Sequence, residues 1–293
     1  MVKGKNSWWN EVNDIIRGAS GGFLFGIPLL YTMEVWWIGS YTEYSRMLTV
    51  LGCTFVVVCL LIQTEGFRKT KTLRLIDTAM DSIEALAIGI ICATCILILL
   101  QEINFSTPLR ETLGKLISES VPFSLGVALA RSFLNGDRFQ SQGDQDDGSI
   151  SKRQQLVYQS TINATFADIG GTLIGATIIG FNIAPTDEIP MLAAAISPPW
   201  QLGLMAASLV ISYGIVFEAG FTNQQQRLQQ QGIFQRPLSE TVMSYLVSLG
   251  AAAFMLWFFQ QLSIEDPWQM WLSYTLLLGL PASVGGAAGR LLA

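Results

Sequence analysis

The segment Pro122-Phe-Ser-Leu-Gly-Val-Ala-Leu-Ala-Arg131 returns as Pro281-Ala-Ser-Val-Gly-Gly-Ala-Ala-Gly-Arg290, displaced by 159 positions (281 − 122). Working back from it, the same displacement sets Gln101 on Gln260, Asp81 on Glu240 and Arg68 on Arg227. Upstream of a five-residue insertion, Thr222 to Gln226, the displacement becomes 154 (168 − 14). There Asp14-Ile15 falls on Asp168-Ile169, Gly21 on Gly175, Gly26 on Gly180, Thr32 on Thr186 and Glu34 on Glu188. The sequence reads as one unit written twice, at 1–134 and 162–293, with a polar segment at 135–161 between the copies.

The composition decides what kind of unit this is. Hydrophobic residues make up 51% of the chain, charged residues only 13%, and the mean hydropathy is +0.43. That charge content is about half that of an ordinary soluble domain. Apolar runs of the length that crosses a bilayer as helix, roughly 17 to 25 residues, recur near 15–38, 47–64, 82–101, 113–134, 166–184, 201–219, 242–260 and 270–292. The runs are continuous rather than alternating, and a chain in hydrocarbon must satisfy its own backbone groups, so the expectation is helix. The expected fold is all-α: a polytopic transmembrane bundle of eight helices arranged as two four-helix repeats. An even number of spans per copy makes the repeats parallel, related by an axis along the membrane normal.

Basic residues set the orientation. Lys3, Lys5, Arg17, Arg68, Lys69, Lys71, Arg74, Arg138, Lys152, Arg153, Arg227 and Arg236 lie at the N-terminus or in alternate loops, whereas Arg46, Arg110 and Lys115 lie on the opposite side. By the positive-inside rule both termini and the 135–161 linker are cytoplasmic. Trp36, Trp37, Trp200, Trp268 and Trp271 suit an outer aromatic belt, and Trp8 and Trp9 an inner one. The first apolar run is too long for a signal-peptide core and is expected to stay as an uncleaved anchor. The net charge of −5 gives no reason to expect a nucleic-acid partner.

The repeated segments carry the first candidate residues. Gly126 with Ala130, and Gly285 with Gly289, are spaced four apart, which lets helix backbones approach closely in lipid. The expectation is that the fourth and eighth spans form the tight centre of the molecule. Arg131 and Arg290 end those spans at the cytoplasmic boundary, level with Glu65, Asp81, Glu218 and Glu240. An inner arginine–acid layer is expected, with Asp81 and Glu240 as the equivalent partners; snorkelling of the arginines to water is the alternative.

At the opposite end Glu34 and Glu188 stand at equivalent positions near the boundary, Glu188 within Pro185-Thr-Asp-Glu-Ile-Pro190, where two prolines break the helix. Acids at a mouth concentrate cations, and they also occur as plain interfacial groups. Asp14 and Asp168 form a third pair at the inner helix starts, where the helix dipole alone favours an acid. Glu119 is different: Leu278 occupies the matching position, so this acid, deep in the outer half, belongs to the first copy alone. Such an intramembrane acid is a candidate for a specific role.

The chain has no histidine, and Cys53, Cys59, Cys92 and Cys95 all fall inside predicted helices. No metal site, cofactor site, phosphate loop or nucleophile with its base is read from the sequence, so neither cofactor nor enzymatic activity is expected. No carboxylate falls near the midplane of any predicted span, which argues against a proton-driven antiporter built on the usual midplane acids.

The paired Pro-x-Ser-x-Gly-x-Ala-x-Ala/Gly-Arg segments and the Met33-Glu-Val-Trp-Trp37 outer end give the whole chain a resemblance to an uncharacterised family of bacterial integral membrane proteins, best represented in cyanobacteria. The resemblance implies a bacterial cytoplasmic or thylakoid membrane and no established activity. Together these readings point to a cation channel or transporter with acidic mouths, in contact with the lipid bilayer, a small cation and further copies of itself. The alternative is a non-transporting scaffold or sensor that presents its linker to a partner.

Overall fold

The computed structural model describes residues 3–64, 75–134, 153–218 and 237–292, and among these there is helix and no strand. In chain order the helices are α1 (Lys3–Leu30), α2 (Met33–Tyr41), α3 (Tyr44–Thr64), α4 (Leu75–Leu99), α5 (Leu109–Leu134), α6 (Arg153–Ile183), α7 (Glu188–Ala195), α8 (Pro198–Tyr213), α9 (Pro237–Phe258) and α10 (Trp268–Leu292). A π turn, Gly214–Glu218, prolongs α8. Six helices are long and apolar enough to cross a membrane, or eight spans result if each of two bent pairs counts as one.

Those bends are where the structure departs from the expected runs. The stretch expected as continuous helix over 15–38 breaks at Tyr31 and Thr32, and α2 leaves α1 at 89°. In the second half α7 leaves α6 at 87°, with Pro185 in the break and Pro190 inside α7. A proline has no backbone N–H to continue the ladder, so Pro185 helps end α6. The 135–161 segment also differs from a uniform linker, because α6 already begins at Arg153.

Small residues determine which helices touch. A Cβ on Gly21 would meet the Gly126 carbonyl oxygen at 2.5 Å and the Ala130 Cβ at 2.6 Å, so α1 and α5 lie backbone to backbone. In the second half Gly175 and Gly285 face each other in the same way, and Gly289 abuts the Gly171 carbonyl. The small-residue stripes of α5 and α10 therefore face α1 and α6, not each other. This corrects the expectation of a shared centre formed by the fourth and eighth spans: each stripe closes its own half. Dispersion and backbone proximity hold such pairs in lipid, where burial of apolar area gives no drive.

The halves meet where α1 runs beside α10 and the π turn, and where α4 touches α8. One hydrogen bond there has a clear cause. Pro281 inside α10 has no N–H to offer the carbonyl four residues back, which belongs to Leu277. The hydroxyl of Tyr31, at the break after α1, donates to that oxygen at 2.7 Å. An orphaned acceptor in one half is satisfied by a donor from the other.

The glycine contacts predict a graded mutational series. Gly175→Ala and Gly285→Ala drive a methyl into backbone that cannot yield, and each is expected to cost about 1–3 kcal/mol. Gly52→Ala and Gly250→Ala, with nothing within 4 Å of the new methyl, are expected to be neutral or to gain up to about 1 kcal/mol from helix propensity. Thermal unfolding in detergent, read by circular dichroism, separates the two classes.

Candidate functional site

The site is built around the turn that ends α4. Gln101 adopts φ 62°, a left-handed conformation that a side chain adopts at some cost. It lets the Gln101 N–H bond the Ile98 carbonyl at 3.0 Å and the Glu102 N–H bond the Leu97 carbonyl at 2.9 Å, closing the helix end. The turn delivers Glu102 to α5: Lys115 Nζ donates to the Glu102 carbonyl oxygen at 3.1 Å and to its Oε2 at 3.2 Å. A third contact, 2.9 Å, joins Lys115 Nζ to Glu111 Oε1 one turn earlier on α5.

The bent helix α2 lays a lid beside these groups. Gly39 and Gly114 bring the backbones of α2 and α5 together, and Arg110 donates to the Tyr41 carbonyl at the C-terminus of α2, at 3.2 Å. Trp36 is thereby turned inward and is 1% exposed, not a member of the outer belt, whereas Trp37 beside it is 54% exposed. The Trp36 indole stands next to Glu119, yet its Nε1 and Glu119 Oε1 are both buried and outside hydrogen-bonding geometry. Glu119 itself is 1% exposed. Two carboxylates, one ammonium and one enclosed carboxyl thus lie together where α2, α5 and the turn after α4 meet.

The second half carries no such cluster. Its equivalent positions are Gln261 for Glu102, Met270 for Glu111, Tyr274 for Lys115, Leu278 for Glu119 and Pro190 for Trp36. The turn geometry is nevertheless the same there, with Gln260 also at φ 62° and the Gln261 N–H bonded to the Leu256 carbonyl at 2.9 Å. The outer turn is shared by both halves and the charges are not.

Other expected residues separate into distinct places. Glu34 is exposed on the first turn of α2, and Glu188 is buried on the first turn of α7 with Oε2 unpartnered. A helix N-terminus favours an acid at both positions. On α1, Asp14 binds the buried Arg17 guanidinium at 2.8 Å, one turn away. Asp168 is half-buried at the matching level of α6, where its carbonyl accepts the Thr172 hydroxyl and Thr172 in turn meets Ser244 at 3.1 Å.

Arg290 is ion-paired with Glu240 of α9. Both are buried, and the guanidinium lies 5.8 Å from the centre of the Phe217 ring in the π turn. Asp81 is half-buried on α4. Glu65 and the side chains of Arg131 and Glu218 lie outside the described residues, so the equivalent Arg131–Asp81 pairing does too. Lys115, Glu102, Glu111 and Trp36 are the site residues that sequence reading missed. The signal was present in the spacing Glu111, Lys115, Glu119, which puts alternating charges on one helix face.

Long apolar helices and small-residue helix contacts among the described residues define a polytopic α-helical integral membrane protein. Over residues 14–293 the chain matches the family described as "Putative integral membrane protein (DUF2391)", and it belongs to that family. No curated protein and no solved structure gives a match to it.

The inner ion pair generates a double-mutant test. Truncating either member leaves a buried charge, so Glu240→Met and Arg290→Met are each expected to cost about 3–5 kcal/mol, while the double variant costs far less than their sum. Detergent-solubilised unfolding midpoints of the four proteins measure the coupling.

Proposed function

We propose that this protein moves a small cation across a bacterial membrane, and that the cluster around Glu119 is its outer binding site. The observation that carries the reading is the enclosed Glu119 carboxyl with one oxygen unpartnered, beneath a lysine held by two other acids. Ionisable groups inside a span are costly and are kept where they serve a pathway. Glu34 and Glu188 add negative charge to the outer rim in this reading, and the Arg290–Glu240 pair, with Arg131 and Asp81 as its counterpart, guards the inner exit.

The same proposal includes the architecture: two parallel four-helix repeats, each bent pair counted as one span, with both termini and the linker in the cytoplasm and a homo-oligomer as the working form. Supporting it are the equal bends of 89° and 87°, the left-handed Gln101 and Gln260, and the matched glycine pairs Gly21–Gly126 and Gly175–Gly285. The distribution of Lys and Arg supports the orientation. Accessibility tags at the two ends test it; ends on opposite sides of the membrane exclude an even number of spans.

Transport is tested in proteoliposomes under an imposed proton or sodium gradient. Glu119→Gln is expected to lower flux at least about tenfold, as loss of the only enclosed carboxyl in the cluster implies. Glu265→Gln, exposed in the loop before α10, is expected to leave it unchanged. Absence of flux under every gradient, together with a stable partner captured through the linker, would replace this reading with the scaffold or sensor one.

A further inference from the structure

We propose that Glu119 is a proton-binding site, and that Lys115 is its internal counter-cation, exchanging Glu102 and Glu111 for Glu119 when the proton leaves. The inference deepens the transport reading by naming the ion, and it rests on that reading only for what the site is used for.

Three observations carry it. First, Glu111, Lys115 and Glu119 occupy successive turns of one α5 face, so the lysine has an acid four residues to either side, the spacing at which side chains on a helix meet. Second, the ammonium is at present committed outward: its contacts are Glu111 Oε1 at 2.9 Å, Glu102 Oε2 at 3.2 Å and the Glu102 carbonyl at 3.1 Å. One ammonium thus engages both acids. Third, Glu119 is 1% exposed and its Oε1 has no partner. An ionised carboxylate held that way is costly, so in this arrangement the carboxyl carries a proton.

The neighbours also choose between ions. Helices α1, α2, α3 and α4 pack on α5. Toward Glu119, α2 presents the Trp36 indole, and the turn after α4 presents Glu102. Glu34, Glu43, Arg46 and Arg110 on these elements are exposed, and Tyr31 after α1 gives its hydroxyl to Leu277. A metal cation needs several oxygen ligands at once. Here α2 presents an N–H donor, which offers a cation no lone pair, and the Glu102 and Glu111 carboxylates are already engaged by Lys115. A proton needs one oxygen, and Glu119 Oε1 supplies it.

The exchange balances simply. A proton from the outer water bonds to a Glu119 carboxylate oxygen, and Lys115, an ammonium throughout, is released to Glu102 and Glu111. Loss of the proton draws Lys115 back to Glu119, so the enclosed carboxylate does not stand unpaired. Glu111, whose side chain is 33% exposed against 15% for Glu102, is the member nearest to water.

The test is infrared titration of the carboxylic-acid C=O stretch in the full-length protein in detergent, with no transport required. A band that disappears on raising the pH is expected, and Glu119→Gln is expected to remove it. Lys115→Met is expected to keep the band to a proton concentration at least about tenfold lower, because the counter-ion that stabilises the carboxylate is gone. Lys115→Arg, which keeps charge and reach, is expected to titrate as the unaltered protein does. Exchanging potassium for sodium at constant ionic strength is expected to change nothing. A band indifferent to Glu119→Gln, identical titrations of Lys115→Met and the unaltered protein, or a midpoint that moves with sodium would each overturn the proposal. A normal titration in a protein without flux would leave the proton site standing and remove only the transport reading.

Discussion

Everything in this molecule answers to one constraint: inside a bilayer no water is present to hydrogen-bond a backbone N–H or C=O, so the chain must satisfy them itself. Helices do this along most of their length, and the informative places are those where the ladder is interrupted. The sharp bends after Leu30 and Ile183 lie at helix ends, where neighbouring groups take up the free acceptors, as when Thr186 bonds the Ile183 carbonyl with both its N–H and its hydroxyl. The interruption at Pro281 falls inside a buried stretch, and Tyr31 is brought from the other half of the chain to meet it. A hydroxyl serving a proline-freed carbonyl is both a local repair and a tie between the halves.

The second consequence concerns how helices associate. Without a hydrophobic drive between them, close contact depends on backbones approaching, and the glycines that permit this lie at equivalent positions on α1 with α5 and α6 with α10. Such contacts are unforgiving, since the atom that would meet a new methyl is a carbonyl oxygen in a rigid helix. The same device at Gly39 and Gly114 holds the short α2 across α5 and so turns Trp36 toward Glu119. Packing glycine and buried acid belong to one construction.

Much of this was legible in the sequence, for identifiable reasons. Continuous apolar runs gave the helices, and the spacing of Gly126, Ala130, Gly285 and Gly289 marked close-packed faces, because both signals are local. Which face met which was not local: the stripes close against α1 and α6, a fact of three dimensions that the spacing of α5 and α10 does not contain. The bend at Tyr31 was missed because residues 15–38 hold only one proline, Pro28, and it lies inside α1. Glu119 stood out as an acid without a counterpart, and Glu240 as the partner of Arg290. Lys115 was read as a basic residue of the outer boundary, where a snorkelling side chain is the usual outcome; the turn at Gln101 that brings Glu102 to it has no glycine to announce it.

The asymmetry of the outer turns is then a matter of energetics. Gln101 and Gln260 close their helices with the same backbone bonds, so the turn needs no charge for its own stability. Where the second half has Gln261, Met270, Tyr274 and Leu278, the first has Glu102, Glu111, Lys115 and Glu119. Desolvating that set is expensive, and even a well-paired buried ion network often adds nothing to stability compared with an apolar replacement. The second half carries uncharged residues at those four positions after the same turn. Because the matching turn closes without charges, the desolvation cost of the cluster is not repaid by the turn itself.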